Sequence, residues 1–405
     1  MSNIKKIAVV TTTRADYGLL RRLLLLLEES PHFNLQLIVT GTHLSTKFGY
    51  TIDEIQRDNI PIAKTIEIFE QDDDISMTHT MSKVFSLFTC VFQELTPDLV
   101  ILLGDRYEMF SVAATAYTLR VPIAHIHGGE VTTGALDDAY RHCITKFAHL
   151  HFVSTEPYKE RVIQLGEQPQ NVHHVGGMGV DAILRMNYLS KDALSEQLQI
   201  SLEKPFFVIT IHPCTLREDS IPMCENILEV LATQAEEYTL IFTFANADDE
   251  GMEINQLIED FCSTHKNAHC YASLGQIGYL SLLKLADGVL GNSSSGVLET
   301  PSMNIPTLNI GDRQQGRLMA SSVINTKTDK NSIREGLIQL VNWRKKNREK
   351  KVFNPYGKAN APENIMNVLN HIQWNTLRKA KVFYDIENRK HDICLPDKEE
   401  SNFTK

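Results

Sequence analysis

The chain has 405 residues, 42% of them hydrophobic and 22% charged, with a formal net charge of −10. Its length favours two domains, and the negative charge argues against nonspecific nucleic-acid binding. No stretch has the roughly 18 uncharged apolar residues that a membrane helix needs, and the first apolar run is too short for a signal peptide. The seven cysteines are never in Cys-x-x-Cys spacing, which indicates reduced thiols and no zinc site. We therefore expect a cytoplasmic protein with no membrane partner.

Short apolar runs alternate with amphipathic segments along most of the chain. The runs predict strands at 6–12, 34–40, 99–104, 122–127, 150–155, 205–211, 239–245, 287–292 and 306–311. Continuous apolar strands linked by helices indicate a parallel sheet covered on both faces. The pattern pauses between residues 178 and 205, so the sequence predicts an α/β fold of two doubly wound Rossmann-like domains facing a cleft.

The predicted division of the chain has four parts. The first domain covers 1–178 and the second covers 179–361. A C-terminal helix over 362–390 is expected to pack back on the first domain, and the polar segment 391–405 is expected to be a flexible tail.

Candidate acid–base residues follow several of the apolar runs. Asp105 comes after LVILLG, His127 and Glu130 after PIAHIH, and His212 after VITI, while Asp137 begins the helix of ALDDAYRH. Ligands of open α/β sheets bind at the carboxyl ends of the strands, and clustered carboxylates and histidines suit general acid–base chemistry. A simple N-cap role for the carboxylates at 137 and 138 is the alternative. The spacing matches no metal-ligand signature, so no metal is predicted.

Candidate anion-binding residues lie mostly in the second half. The stretch LGNSSSGVLETPSMNIPTLNIGDRQQGR combines a serine turn before a helix, a glutamate that could bind a ribose diol, and an arginine suited to phosphate. An N-cap serine cluster with a surface arginine is the alternative. With TTTRADYG and FTFANADDEG, the nucleotide-binding candidates are Arg14, Asn246, Ser293, Ser294, Glu299 and Arg313.

One competing motif is GMGVDA at 177–182, which fits the Gly-x-Gly-x-x-Ala dinucleotide fingerprint. It follows only a short polar-flanked strand, VHHVG at 172–176, and stands between the two halves instead of in a first βαβ unit. No acidic residue after a strand follows at the required distance. We interpret it as an interdomain connection, and we expect no cofactor.

The assembled motifs resemble the hydrolysing UDP-N-acetylglucosamine 2-epimerases, which have a glycosyltransferase-B-like fold. The resemblance is carried by TTTRADYG, VTGTHLS, LGDRYEMF, HIHGGEVTTGALDDAYRHCITK, IHPCTL, NAD, the serine–glutamate–arginine stretch and FYDI. It implies that the six nucleotide-binding candidates hold UDP and that Asp105, Asp137 and His212 are acid–base residues. Some members have a carboxylate at the position of His127, which leaves open whether His127 or Glu130 takes that role.

The resemblance also implies a reaction. UDP leaves C1 as a base removes the C2 proton, and water and a proton then add to the resulting glycal, giving N-acetylmannosamine and UDP. The same chemistry on UDP-2,4-diacetamido-2,4,6-trideoxyglucose is the first alternative. A nucleotide-sugar glycosyltransferase, a non-hydrolysing epimerase and a non-enzymatic sensor of nucleotide sugars are the others. The family further implies a homo-oligomer, either a dimer or a tetramer.

Overall fold

The computed structural model describes residues 4–45, 50–69, 77–132, 136–213, 220–234, 236–245, 249–357, 359–377 and 379–386. These residues form two sheets, one of seven strands and one of six, and every strand pairing in them is parallel. Among these ranges, no helix is long and apolar enough to cross a membrane.

The first sheet has the strand order β3-β2-β1-β4-β5-β6-β7. Its strands are β1 (Lys5–Thr11), β2 (Phe33–Thr40), β3 (Ile62–Ile66), β4 (Leu99–Leu103), β5 (Ile123–Ile126), β6 (Leu150–Val153) and β7 (Val172–His174). The helices between them are α1 (Arg14–Glu28), α2 (Ile52–Arg57), α3 (Met77–Leu95), α4 (Tyr107–Thr118), α5 (Leu136–Phe147) and α6 (Glu156–Gln164). Helix α1 buries leucines at 20, 23, 24 and 27, which is the spacing of one helical face.

The second sheet repeats this order as β10-β9-β8-β11-β12-β13. Its strands are β8 (Phe206–Thr210), β9 (Thr239–Thr243), β10 (Ala268–Tyr271), β11 (Gly288–Gly291), β12 (Thr307–Ile310) and β13 (Val323–Thr326). Its helices, with the connection that precedes them, are α7 (Met178–Arg185), α8 (Lys191–Leu198), α9 (Ser220–Ala232), α10 (Asp249–Thr264), α11 (Gly275–Leu285), α12 (Ser295–Leu298) and α13 (Lys330–Asn347). The predicted fold class is confirmed, although strands β3, β10 and β13 were not predicted.

The chain returns to the first domain after α13. Helix α14 (Ala361–His371) packs against α1, and Ala361, Ile365, Leu369 and Leu377 join the core of the first domain. The helix is shorter than predicted, because it ends at His371 and is followed by a 3-10 turn at Trp374–Thr376 and a non-helical segment over 379–386. The predicted tail lies outside the described residues.

Each sheet has one point where the strand order reverses, between β1 and β4 and between β8 and β11. Ligands of such sheets bind at the carboxyl ends of the strands beside this point. An apolar cluster that includes Val153 and Tyr158 of the first domain and Val297 and Tyr356 beyond it joins the two halves. The two reversal points therefore lie on opposite walls of one cleft.

Candidate active site

A cavity of about 580 Å³ lies between the domains. Its walls come from the loops after β1, β5 and β6 on one side and after β8, β9 and β11 on the other. The cavity is lined by seven of the predicted site residues, namely Arg14, His127, Glu130, His212, Ser293, Ser294 and Glu299.

The serine turn and Glu299 form one end of the cavity. Ser293 precedes the short helix α12, and its hydroxyl oxygen accepts a hydrogen bond from the Ser295 N–H at 3.4 Å. Burial raises the pKa of Glu299, and the neighbouring Ser295 side chain opposes the shift. Glu299 Oε2 is buried and has no hydrogen-bond partner among the residues that the structure describes. A buried, unsatisfied carboxylate oxygen beside a cavity suits a ligand with hydroxyl groups.

Arg14 faces this end from the opposite domain. It is the first residue of α1, whose N-terminus is closed by a capping box between Thr13 and Asp16. Asp16 is buried and accepts from the backbone N–H groups of Thr12 and Thr13, both at 2.9 Å. The Arg14 guanidinium pairs with Glu54 at 3.2 Å and lies against Gly275, the first residue of α11. The cap thus fixes an arginine where it bridges the two domains.

His212 is held at the end of β8 by the side chain of Asn292. The His212 N–H donates to Asn292 Oδ1 at 2.8 Å, and Asn292 Nδ2 donates to the His212 carbonyl at 2.8 Å. Burial, followed by the nearby Arg313, lowers the pKa of His212 to about 4. Arg313 in turn donates to the Asn292 carbonyl at 3.1 Å. The imidazole is therefore neutral at neutral pH and can accept a proton.

Asp137 lies near enough to Arg106 and Arg313 to feel their charges. It lies inside the first turn of α5, as does Asp138, so the N-cap alternative for these carboxylates is wrong. The Asp137 side chain is exposed, yet partial desolvation raises its pKa, against the opposing charges of Arg106 and Arg313. A carboxyl group of raised pKa suits acid–base chemistry.

Asp105 is bound by a buried arginine. Arg141 of α5, only 3% exposed, donates from Nη2 to Asp105 Oδ2 and lies 3.6 Å from Asp138. Thr132 Oγ1 accepts from Arg141 at 3.3 Å and from Arg317 of the second domain at 3.4 Å. Since Arg141 and Asp137 are on the same helix, the placement of α5 sets the position of both candidate carboxylates.

His127 and Glu130 form a pair at the other end of the cavity. His127 has a φ of +66° and its Nδ1 lies 3.6 Å from Glu130 Oε1. His127 Nε2 accepts from the Met178 N–H at 3.3 Å, and Ser154 donates to Glu130 Oε1 at 3.0 Å. The hydrogen bond from Met178 places the proton of a neutral His127 on Nδ1, toward Glu130.

Several residues of the site were not predicted. Tyr279 and Tyr356 line the cavity, and the Tyr356 hydroxyl lies 3.1 Å from that of Tyr158. Arg317 closes the quoted GDRQQGR stretch, and its contact with Thr132 of the first domain gives it a place in the site. The dinucleotide-like stretch supplies Gly177 and Gly179 to the cavity wall and begins α7. Asn246 lies outside the described residues, so its predicted contact stays a prediction.

Comparison with known proteins assigns the family. A family model described as UDP-N-acetylglucosamine 2-epimerase matches residues 26–370. The chain therefore belongs to the UDP-N-acetylglucosamine 2-epimerase family.

Three relatives refine this assignment. The chain is 43% identical to the hydrolysing GDP/UDP-N,N′-diacetylbacillosamine 2-epimerase of Campylobacter jejuni, over 80% of this chain and 84% of that protein. It is 38% identical to the polysialic acid biosynthesis protein P7 of Escherichia coli, over 95% and 98%. It is 34% identical to the hydrolysing UDP-N,N′-diacetylbacillosamine 2-epimerase of Legionella pneumophila, over 91% and 96%. The resemblance to the hydrolysing epimerases is confirmed.

A solved structure shares the fold. The crystal structure of UDP-GlcNAc 2-epimerase from Neisseria meningitidis bound to UDP-GlcNAc has a TM-score of 0.76 at 20% identity, over 91% of this chain and 100% of that chain. The glycosyltransferase-B-like arrangement of the two domains is therefore confirmed.

Proposed function

We propose that this protein is a hydrolysing 2-epimerase that converts a UDP-linked 2-acetamido sugar and water into UDP and the free manno-configured sugar. The observation that carries the proposal is the cavity between the domains. It joins Ser293 and Glu299, to which we assign the diphosphate and the ribose diol, to His212, His127 and Glu130, and the charge of Arg313 acts on both Asp137 and His212.

The substrate that we favour is UDP-N,N′-diacetylbacillosamine, the UDP-linked 2,4-diacetamido-2,4,6-trideoxyglucose. The sequence put UDP-N-acetylglucosamine first and this sugar second. The reversal is supported by two hydrolysing relatives whose names specify diacetylbacillosamine, at 43% and 34% identity. UDP-N-acetylglucosamine stays the alternative, and the relative named for polysialic acid biosynthesis, at 38% identity, supports it.

The first half of the reaction is an elimination. A base removes the C2 proton, the C1–O bond breaks with its electron pair leaving on UDP, and a C1=C2 double bond forms. We assign acid–base roles to Asp105, Asp137 and His212, and a further role to the pair of His127 and Glu130. The C2 proton is only weakly acidic, so positive charge near the departing diphosphate is needed in the same step. Arg14 and Arg313 supply it in this proposal.

The second half is a hydration. The oxygen of water adds to C1 and a proton returns to C2 from the opposite face, which inverts that carbon. Acid–base groups on both walls of the cleft supply and accept these protons without a cofactor. Closing the domains around the cavity keeps the glycal from escaping before water adds.

The test is an NMR time course in D₂O with UDP-N,N′-diacetylbacillosamine, its GDP analogue and UDP-N-acetylglucosamine in separate tubes. We expect nucleotide release together with a manno-configured free sugar that carries deuterium at C2, fastest with the first substrate. Faster turnover of UDP-N-acetylglucosamine would make the alternative substrate correct. Absence of both nucleotide release and C2 exchange in all tubes would refute the enzyme assignment.

A further inference from the structure

The segment 379–386, here named the C-terminal strap, packs against the first domain. It is non-helical, and its backbone is tied to the first domain by two hydrogen bonds. The Tyr384 N–H donates to the Gly166 carbonyl at 2.9 Å, and Gln168 Nε2 donates to the Val382 carbonyl at 3.1 Å. The strap therefore has a defined place on the domain.

Lys381 of the strap binds the C-terminal end of helix α5. Its ammonium group donates to the Lys146 carbonyl at 2.7 Å and also to the Ala148 carbonyl. The last carbonyls of a helix have no intrahelical partner and carry the negative end of the helix dipole. A lysine from a distant segment thus supplies the C-terminal cap of α5.

Glu167 contacts both the strap and helix α5. Its side chain is only 3% exposed, and its carboxylate lies 2.7 Å from Lys381, 2.5 Å from Lys146 and 3.1 Å from His151. Lys146 belongs to the last turn of α5. One buried carboxylate therefore pairs with a strap lysine and a helix lysine at the same time.

Phe383 adds an apolar contact at the same place. Its ring lies so close to Gly166 that a Cβ at residue 166 would come within 2.2 Å of it, and the Lys146 ammonium lies 5.0 Å from the ring centroid. Beside these contacts a cavity of about 960 Å³ separates part of the strap from the end of α14. The strap is thus held to the first domain by a few specific contacts around α5.

The opposite end of α5 lies near the second domain, since Arg313 acts on Asp137 and Arg317 contacts Thr132 just before the helix. The helix is about 18 Å long at 1.5 Å per residue, and it carries Asp137 in its first turn and Arg141, which binds Asp105. Because packed helices move as rigid units, a change at the C-terminal end shifts these groups relative to the second domain. We propose that the C-terminal strap positions α5 for catalysis and that Lys381 is a positioning residue of the reaction; this rests on the proposed function.

The variant that tests the proposal is Lys381→Met, with Lys379→Met as the matched control. Lys379 is an exposed lysine of the same strap, so both changes remove one charge at nearly the same place. We expect Lys381→Met to lower kcat by about tenfold or more, with KM and the Kd for UDP changed by less than about twofold. The control should keep wild-type kcat, and Lys381→Arg should recover part of the loss because it can still cap the carbonyls.

Hydrogen exchange of the α5 amides provides an independent readout. Lys381→Met should speed exchange in α5 while the amides of α9 in the second domain keep their wild-type protection. Phe383→Ala carries the same test if Lys381→Met does not fold. Unchanged kcat, or a fall in kcat matched by an equal loss of UDP affinity, would overturn the proposal. If the wild-type protein releases no nucleotide, the proposed function fails, and the exchange data still report whether the strap holds α5.

Discussion

Replacing Glu167 with glutamine is the perturbation whose effect on stability the structure defines best. Burial alone would raise the pKa of Glu167, but hydrogen bonds and charges from His151, Lys146 and Lys381 lower it to about 2. The change to Gln removes the negative charge and leaves the strap lysine without its buried counter-ion. The free energy of unfolding should therefore fall.

The size of the loss follows from the pKa. A shift from an unfolded value of about 4.3 to about 2 corresponds to roughly 3 kcal/mol. This agrees with the 3–5 kcal/mol typical when one partner of a buried ion pair is removed. For a domain of this size each kcal/mol lowers the melting temperature by roughly 2–4 °C. Glu167→Gln should thus melt about 6–12 °C below the wild type at neutral pH.

The difference in unfolding free energy between wild type and Glu167→Gln should depend on pH, which gives a sharper check. A depressed carboxyl pKa stabilises the folded state above the unfolded pKa, and this stabilisation is lost as the pH falls toward the folded pKa. The gap between wild type and Glu167→Gln should therefore be constant above pH of about 5 and shrink between about pH 4 and pH 2. Urea unfolding at several pH values measures it.

The matched control is Glu160→Gln, which removes the same charge from an exposed position of α6. Exposed substitutions change stability by roughly 0.5 kcal/mol or less, so the control should follow the wild type throughout. A Glu167→Gln protein as stable as this control at pH 7 would refute the reasoning. A gap that stays the same size down to pH 3 would refute the electrostatic part of it.

Three further variants test the site and its scaffold. Asp137→Asn should lower kcat by about 10²–10⁴ while UDP affinity in calorimetry stays near wild type; kcat within about threefold would contradict an acid–base role. Glu299→Gln should weaken UDP binding by about tenfold but leave 2′-deoxy-UDP binding unchanged, and equal losses for both ligands would exclude a diol contact. Gly129→Ala places a Cβ 2.4 Å from the Tyr158 carbonyl at a φ of +80°, so melting should show a loss of about 2 kcal/mol or more.

The sequence predicts the central strands well because a strand buried on both faces must be apolar throughout. β1, β4, β5, β8 and β11 all follow such runs, and seven of the predicted site residues line the cavity between the domains. The missed strands β3, β10 and β13 are edge strands of their sheets. Their sequences, IAKTI, AHCY and VINT, are short and mixed because an edge strand has one neighbour and partial solvent contact.

The partners of the candidate residues could not be predicted in the same way. Arg141 and Asp105 are 36 positions apart, and the Tyr356 hydroxyl meets that of Tyr158 across 198 positions. No local periodicity encodes such contacts, since they depend on how helices dock on the sheet. The C-terminal helix was predicted too long for a related reason. The segment after His371 keeps a mixed apolar pattern, but its backbone forms hydrogen bonds with Gly166 and Gln168 instead of continuing the helix.

The sequence does not determine which of His127 and Glu130 takes the acid–base role. The structure shows how the two side chains are arranged. Both residues line the cavity, so position alone favours neither. Glu130 Oε1 is 3.6 Å from His127 Nδ1 and also receives the Ser154 hydroxyl, while the Met178 N–H occupies His127 Nε2. The two side chains therefore lie against each other, and each is also held by a neighbour of its own. Because the two side chains are in contact, a change at one residue disturbs the other, and we propose that the role belongs to the pair.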